Sequence, residues 1–227
     1  MKEAVVIVAG GSGSRMRSNI PKQFLPLGGK PLLFHTLEAF HQYDTQLPIW
    51  LVLPKTEHSR WTSLCKEFHC KIPHQVVAGG NCRSQSVKYG VYQIQFEDCV
   101  VAIHDGVRPL LTHRIIENTF EVAAQEGSAI ASVPLKDSIR EIVEKDSIAK
   151  NRANYRLMQT PQTFHKSWLT EAYDRLDAID GFSDEASLVE AVGKTVTLVE
   201  GDYRNIKVTT PEDMVVAEAF LLQKTSD

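Results

Sequence analysis

The chain of 227 residues, 43% hydrophobic and 23% charged, has an ordinary globular composition and is long enough to bury a real core. Its formal net charge of −3 argues against general nucleic-acid binding and makes local Arg and Lys clusters informative, because the average does not explain them. No apolar run approaches the roughly 20 residues of a membrane span. No secretory signal is expected from the opening residues, and four cysteines (Cys65, Cys70, Cys82, Cys99) without CxxC spacing read as free thiols in a reducing cytoplasm.

Taken in chain order, Ala4–Gly10 reads as a buried strand, a short β-branched run ending in glycines. A helix is predicted over Pro31–Phe40 and a strand over Ile49–Leu53. A second helix starts near Thr56, an N-cap candidate, with Trp61, Leu64, Cys65 and Phe68 on one face. Gln75–Ala78 is a short strand running into Gly79-Gly80. Arg83–Ile94 follows as a helix weakened by Gly90, and Cys99–His104 as a strongly apolar strand. Thr112 is expected to cap a helix that Gly127 stops, and Ala129–Val133 is a strand. Residues 137–155 break the rhythm and read as a projecting hairpin. Helices over His165–Ile179 and Ser183–Val192 precede a strand over Thr195–Glu200. The last helix has the clearest start, with Thr210 as N-cap, Pro211 at N1 and Asp213 as the acidic partner. The alternation implies an α/β domain, one mostly parallel sheet covered on both faces, spanning residues 1–227 with the hairpin as an arm. Ligands of such sheets bind at the carboxyl ends of the strands.

After the first strand comes Ala9-Gly10-Gly11-Ser12-Gly13-Ser14-Arg15-Met16, then Pro21-Lys22-Gln23. Glycines let the backbone turn tightly and offer N–H groups to an anion, and the nearby cations suit a triphosphate. Met16 stands where a dinucleotide fingerprint needs glycine, and the Gly-Lys-Ser/Thr of a P-loop is absent. Asp105, at the end of a strand, is a reasonable single-carboxylate Mg²⁺ site beside nucleotide phosphates. The plainer alternative is that it caps a turn and pairs with Arg108. His104, His113 and His165 lack metal-ligand spacing and read as core or surface histidines, and the Trp61 and Trp168 faces read as core.

The loop Gly-x-Gly-x-Arg-Met followed by Pro-Lys-Gln resembles the signature of the 2-C-methyl-D-erythritol 4-phosphate cytidylyltransferases and their ribitol-phosphate relatives. So do Gly79-Gly80-Asn81-Cys82-Arg83-Ser84-Gln85-Ser86-Val87, His104-Asp105-Gly106-Val107-Arg108-Pro109 and Thr160-Pro161-Gln162-Thr163-Phe164. Asp184-Glu185-Ala186-Ser187 and Asn205–Asp213 complete the series in order. Gly106-Val107 depart from the family's two alanines.

The resemblance implies a three-layer, Rossmann-like nucleotidyltransferase fold with a mixed, mostly parallel sheet. It also implies transfer of the cytidylyl group of CTP to a sugar-alcohol phosphate with Mg²⁺. By resemblance Arg15 and Lys22 stabilise the α-phosphate, and Ala9, Gly10, Gly11 and Gly13 supply main-chain contacts. Gly79, Gly80, Asn81 and Ser86 form the cytosine pocket, and Arg152 and Lys207 hold the acceptor's phosphate, the arginine reaching in from a second subunit of a homodimer. Ser138 takes the place of the family's usual threonine. The expected acceptor is 2-C-methyl-D-erythritol 4-phosphate. D-Ribitol 5-phosphate, towards which Val107 leans, is the alternative, and a non-catalytic nucleotide-binding module is the competing class.

Overall fold

The computed structural model describes residues 1–11, 14–16, 18 and 20–224. Its frame is a seven-stranded sheet in the order β11-β7-β10-β6-β1-β4-β5. The strands are β1 (Lys2–Val8), β4 (Ile49–Leu53), β5 (Gln75–Ala78), β6 (Cys99–Asp105), β7 (Ser128–Pro134), β10 (Arg156–His165) and β11 (Leu198–Glu200). Two small hairpins stand apart from it: β2 (Pro26–Leu27) with β3 (Lys30–Pro31), and β8 (Ile139–Val143) with β9 (Asp146–Lys150). The helices are α1 (Leu32–Tyr43), α2 (His58–Glu67), α3 (Arg83–Val91), α4 (His113–Glu126), α5 (Lys166–Arg175), α6 (Glu185–Glu190) and α7 (Pro211–Lys224).

The period-2 geometry of β1 shows why three layers form. Val5, Ile7 and Ala9 pack into one core with Leu37 and Phe40 of α1, Trp61 of α2 and Phe120 of α4. Ala4, Val6 and Val8 face the opposite core, with Val87 of α3, Tyr173 of α5 and Leu188 of α6. Strands β4, β1 and β6 run parallel, as do β5 beside β4 and β11 beside β7. Strand β10 is antiparallel to both β6 and β7, so the sheet is mixed and mostly parallel. A third, smaller core joins Leu27, Leu32 and Leu110 to Val208 and Ala217 of the C-terminal segment.

The helix α7 starts as read: Thr210 N–H donates to Asp213 Oδ2 at 2.8 Å, and Asp213 N–H returns to Thr210 Oγ1 at 3.4 Å. Gly127 ends α4 with φ +87°, a left-handed residue that glycine adopts without strain. Thr56 is not a cap, because it lies in a 3₁₀ turn over Lys55–Glu57 that precedes α2. Thr112 stands at the head of α4, but its side chain makes no capping bond.

The helix expected over His165–Ile179 is shorter: β10 occupies the chain through His165, and the backbone turns extended at Leu176, short of the expected end. Strand β10 itself was not read. Pro161 lies within it, but the β10–β7 register shifts between Met158 and Gln162, and a bulge is where a strand tolerates proline. Gly90 belongs inside α3 for a packing reason: a Cβ there would stand 2.5 Å from Val6 Cγ1 and 3.0 Å from Val52 Cγ2.

Candidate active site

The carboxyl ends of β1, β4, β5 and β6 open into one cleft of about 270 Å³. Ala9, Gly10 and Gly11 form the wall after β1, Pro54 that after β4, and Gly79, Gly80, Asn81, Cys82, Arg83 and Ser86 that after β5. Asp105 and Val107 follow β6, and Lys22, Gln23 and Lys207 close the remaining side. The predicted nucleotide residues are thus gathered in one place, apart from Arg15, which does not line the cleft, and Gly13, which lies outside the described residues.

Lys22 occupies a 3₁₀ turn over Lys22–Phe24 whose Gln23 and Phe24 are buried, so its neighbours anchor the turn while its own chain enters the cleft. It lies across Gly11, where an added Cβ would approach Lys22 Cε at 3.4 Å. Burial lowers the Lys22 pKa, and the Lys207 and Arg15 cations lower it further, against the opposing pull of Asp105. Arg15 is exposed on the turn Ser14–Met16 and does not line the cleft; its charge nonetheless reaches Lys22.

Asp105 is the electrostatic centre. Lys207 Nζ is 2.9 Å from its Oδ2, Arg83 Nε 3.4 Å from Oδ1 and Arg108 Nε 3.6 Å from Oδ2. Burial alone would raise the carboxyl's pKa. The three cations outweigh it and hold the group below the usual carboxylate range, so Asp105 is ionised. The plain reading of Asp105 as a partner of Arg108 therefore holds, and it coexists with the carboxylate's place in the cleft wall. Next to it His104 is fully buried, shares a 3.0 Å hydrogen bond with Thr160 Oγ1, and is pushed down by burial to about 3, so it is neutral. Asp105 N–H donates to the same Thr160 hydroxyl at 3.1 Å.

The glycine pair after β5 needs its glycines. A Cβ on Gly80 would fall 2.5 Å from Gln85 Cβ, and one on Gly79 3.0 Å from Ser86 Oγ. Ser86 Oγ accepts from Gly80 N–H at 3.1 Å and donates to the Cys82 carbonyl at 2.9 Å, so much of its hydrogen-bonding capacity already shapes the loop. Asn81 is tied down through its N–H, which donates to Gln85 Oε1 at 2.9 Å. At Gly106 a methyl group would lie 2.8 Å from Ala9 Cβ, which accounts for glycine at that departure from the family pattern.

Arg152 is not brought to this cleft within the chain. It is exposed in a 3₁₀ turn at the foot of the hairpin, where its guanidinium donates to the Lys136 carbonyl. Ser138 is likewise exposed at the hairpin's base. Lys207 is in the cleft, in an irregular segment before α7. Val208 N–H donates to the Val107 carbonyl at 2.9 Å and fixes it there.

Sequence reasoning paired Arg108 with Asp105 but passed over its second contact and over Asn205 and Gln23. Arg108 donates through Nη1 to the Asn205 carbonyl at 2.8 Å, and Asn205 Nδ2 donates to the Thr160 carbonyl at 2.9 Å. Gln23, 1% exposed, leaves its Oε1 without a partner among the described residues. All were visible only as letters within the quoted motifs. Among the described residues no three His, Cys, Asp or Glu side chains cluster as a metal site, and no described helix is long and apolar enough to cross a membrane.

The family model for 2-C-methyl-D-erythritol 4-phosphate cytidylyltransferase matches residues 3–223. A curated protein of that name from Azobacteroides pseudotrichonymphae is 45% identical over 219 residues, 96% of this chain and 97% of its own length. One from Bacteroides thetaiotaomicron is also 45% identical, over 97% of this chain and 100% of its own length. Among solved structures, the 4-diphosphocytidyl-2C-methyl-D-erythritol synthase of Anaerococcus prevotii superposes with a TM-score of 0.83 at 27% identity, covering 97% and 96% of the two chains. The 2-C-methyl-D-erythritol 4-phosphate cytidylyltransferase of Thermus thermophilus gives 0.75 at 30% identity, covering 97% and 98%. With the glycine-lined cleft, the Lys22–Asp105–Lys207 constellation and agreement over nearly the whole chain, this protein belongs to the 2-C-methyl-D-erythritol 4-phosphate cytidylyltransferase family.

Proposed function

We propose how this nucleotidyltransferase joins CTP to 2-C-methyl-D-erythritol 4-phosphate, releasing pyrophosphate in isoprenoid precursor synthesis. The observation that carries the assignment of roles is the convergence of Lys22, Asp105 and Lys207 on one glycine-walled cleft. The acceptor's phosphate is already largely dianionic near neutral pH, since a phosphomonoester's second pKa is about 6, so no general base is needed. The neutral, buried His104 is consistent with that economy. What the protein supplies is position and positive charge.

In this reading the triphosphate lies against the N–H groups of Ala9, Gly10 and Gly11, with Gly13 of the same sequence motif assigned to it as well. The base lies over Gly79, Gly80, Asn81 and Ser86. Lys22, whose ammonium is partly desolvated, neutralises the α-phosphate as charge builds there, and Arg15 folds in from its exposed turn to share that role. Lys207 leaves Asp105 to take the acceptor's phosphate; its side chain is 41% exposed and free to swing.

A divalent cation such as Mg²⁺ fits Asp105. The carboxylate is ionised, lines the cleft and stands alone, and magnesium commonly takes one or two carboxylates together with substrate phosphates. Bound there, the ion would screen the triphosphate's charge. Lys207's departure would leave Oδ2 available for it.

Arg152 is assigned to the acceptor site of a second subunit, in a homodimer joined through the arm. Support comes from its absence from the cleft wall of its own chain and from exposed apolar side chains on the hairpin strands, where Ile142 is 73% and Ile148 51% exposed. The substrates and the free thiols suit a cytoplasmic enzyme.

Pyrophosphate release measured with CTP, Mg²⁺ and either alcohol phosphate tests the reading. Turnover with 2-C-methyl-D-erythritol 4-phosphate is expected. A preference for D-ribitol 5-phosphate would overturn the acceptor, a pointed comparison because Val107 lines the cleft. Tight CTP binding without turnover would instead support a binding module.

A further inference from the structure

Glu185 is 0% exposed at the first position of α6, yet it is not part of the cleft wall. A carboxylate taken fully out of water is tolerated only with good partners. Glu185 has one: Arg83 Nη1 donates to Oε1 at 2.9 Å and to Oε2 at 2.7 Å. Arg83 opens α3 directly after the Gly79-Gly80 turn, and it does line the cleft. Its Nε reaches Asp105 Oδ1 at 3.4 Å, and its Nη2 has no hydrogen-bond partner among the described residues. Nη1 of this guanidinium thus serves a buried carboxylate and Nε the cleft carboxylate, which leaves Nη2 uncommitted on a residue of the cleft wall.

The support behind Glu185 is equally defined. Gln162 Oε1 on β10 accepts from both Glu185 N–H and Ala186 N–H at 3.1 Å, while Gln162 Nε2 donates to Asp184 Oδ2 at 2.8 Å. Asp184 Oδ1 in turn caps Ser187 N–H at 3.0 Å. The start of α6 is pinned to the sheet, and the Glu185 carboxylate with it.

We infer that Glu185 is a positioning residue for cytidylyl transfer. It holds the Arg83 guanidinium so that Arg83 engages only Oδ1 of Asp105 and its remaining N–H donors are left to the nucleotide's phosphates. Without the buried carboxylate, Arg83 would turn both of its donor edges onto Asp105, the nearest remaining anion. That would occupy both Asp105 oxygens and withdraw the arginine from the cleft. A guanidinium has the fixed fork this division requires, and an ammonium does not. The inference rests on the assignment of this cleft to CTP made above.

The test is steady-state kinetics of the full chain with both substrates, alongside thermal unfolding, for Glu185→Gln, Glu185→Asp, Arg83→Lys and the double variant Glu185→Gln/Arg83→Lys. Glu185→Gln keeps the shape and removes the charge. It is expected to lower kcat about 10- to 100-fold and to raise KM for CTP, with KM for the alcohol phosphate within about threefold of wild type. Glu185→Asp should recover part of the loss. Because the two side chains act as one unit, the double variant should be no slower than the slower single variant.

Multiplicative losses in the double variant, or equal changes in both KM values, would overturn the inference. So would a lowered Tm with unchanged kinetics. If Glu185→Gln does not fold, Arg83→Lys must show the same CTP-selective loss, and a wild-type profile from it would be equally fatal. Failure of the cleft assignment itself would show differently, as wild-type protein that turns over neither alcohol phosphate with CTP.

Discussion

Lys207 Nζ stands 2.9 Å from Asp105 Oδ2, so a cation assigned to one substrate is parked on the carboxylate assigned to the other. The pair bridges the end of β6 and the segment before α7, and Val208 N–H on the Val107 carbonyl fixes that juxtaposition through the backbone. An exposed ammonium on a buried carboxylate is an exchangeable contact, and the first prediction follows from it.

Lys207→Ala removes a contact to the acceptor and leaves the glycine walls intact. KM for the alcohol phosphate should rise about 10- to 100-fold, the worth of a charge-assisted hydrogen bond, while KM for CTP changes little. Initial rates against each substrate separate the two. A selective rise in KM for CTP would mean the pockets are reversed.

Lys22→Ala should act on kcat, by about 10²- to 10³-fold, because its charge matters most as the α-phosphate becomes crowded. The pH profile carries a second signature. Burial and neighbouring cations lower the Lys22 pKa from the usual 10.5, so in the free enzyme its charge is lost at a lower pH than an ordinary lysine's. The alkaline fall of kcat/KM for CTP should begin there, and Lys22→Arg should move it upward.

Asp105→Asn should destabilise the fold by roughly 3 kcal/mol at neutral pH, by leaving buried Arg108 and half-buried Arg83 short of a counter-charge. The folded-state pKa of Asp105 lies below its ordinary 3.8, so its contribution is fully present above that value. It is lost as pH falls through the depressed value. Denaturant unfolding of both proteins should therefore show a constant gap from pH 6 to 8 that narrows below about pH 4.

Gly90→Ala should lower stability by about 1–3 kcal/mol, although alanine is the better helix former. The new methyl would press on Val6 and Val52, both fully buried strand residues. A rise in Tm would show that the α3–sheet gap can widen at no cost.

Arg152→Ala and Lys22→Ala should each be nearly inactive alone yet regain activity when co-expressed. In a mixed dimer one cleft then combines an intact Lys22 with an intact Arg152 from the other chain. Sedimentation of the mixture reports the dimer, and dimers without recovered activity would place Arg152 in its own chain's cleft.

The sequence made the alternation of strands and helices plain because β1, β4 and β6 are buried on both faces and therefore read as continuous apolar runs. Strand β10 escaped because its register breaks at Gln159–Pro161, where a proline and buried polar side chains, bonded to Asp202 and to His104 of β6, interrupt the apolar pattern. The glycine loop, Lys22, Asp105 and Lys207 were legible from residue type and position after strands. The Arg83–Glu185 pair was not, since neither spacing nor periodicity announces a contact between residues 102 positions apart in the chain. Arg152 was named by resemblance alone, and its own chain gives it no place in the cleft.

The third core has a bearing on when this protein becomes competent. Leu27, just beyond the Lys22 turn, and Val208, beside Lys207, are fully buried together with Ala217 of α7. A cation near the beginning of the chain and one near its close thus share a single apolar mount. On the ribosome the first strands can emerge and collapse early, but the mount cannot close until α7 has been made. Until then the wall that carries Lys207 lacks its mount, whereas the Lys22 turn already has Phe24 in the larger core to rest on.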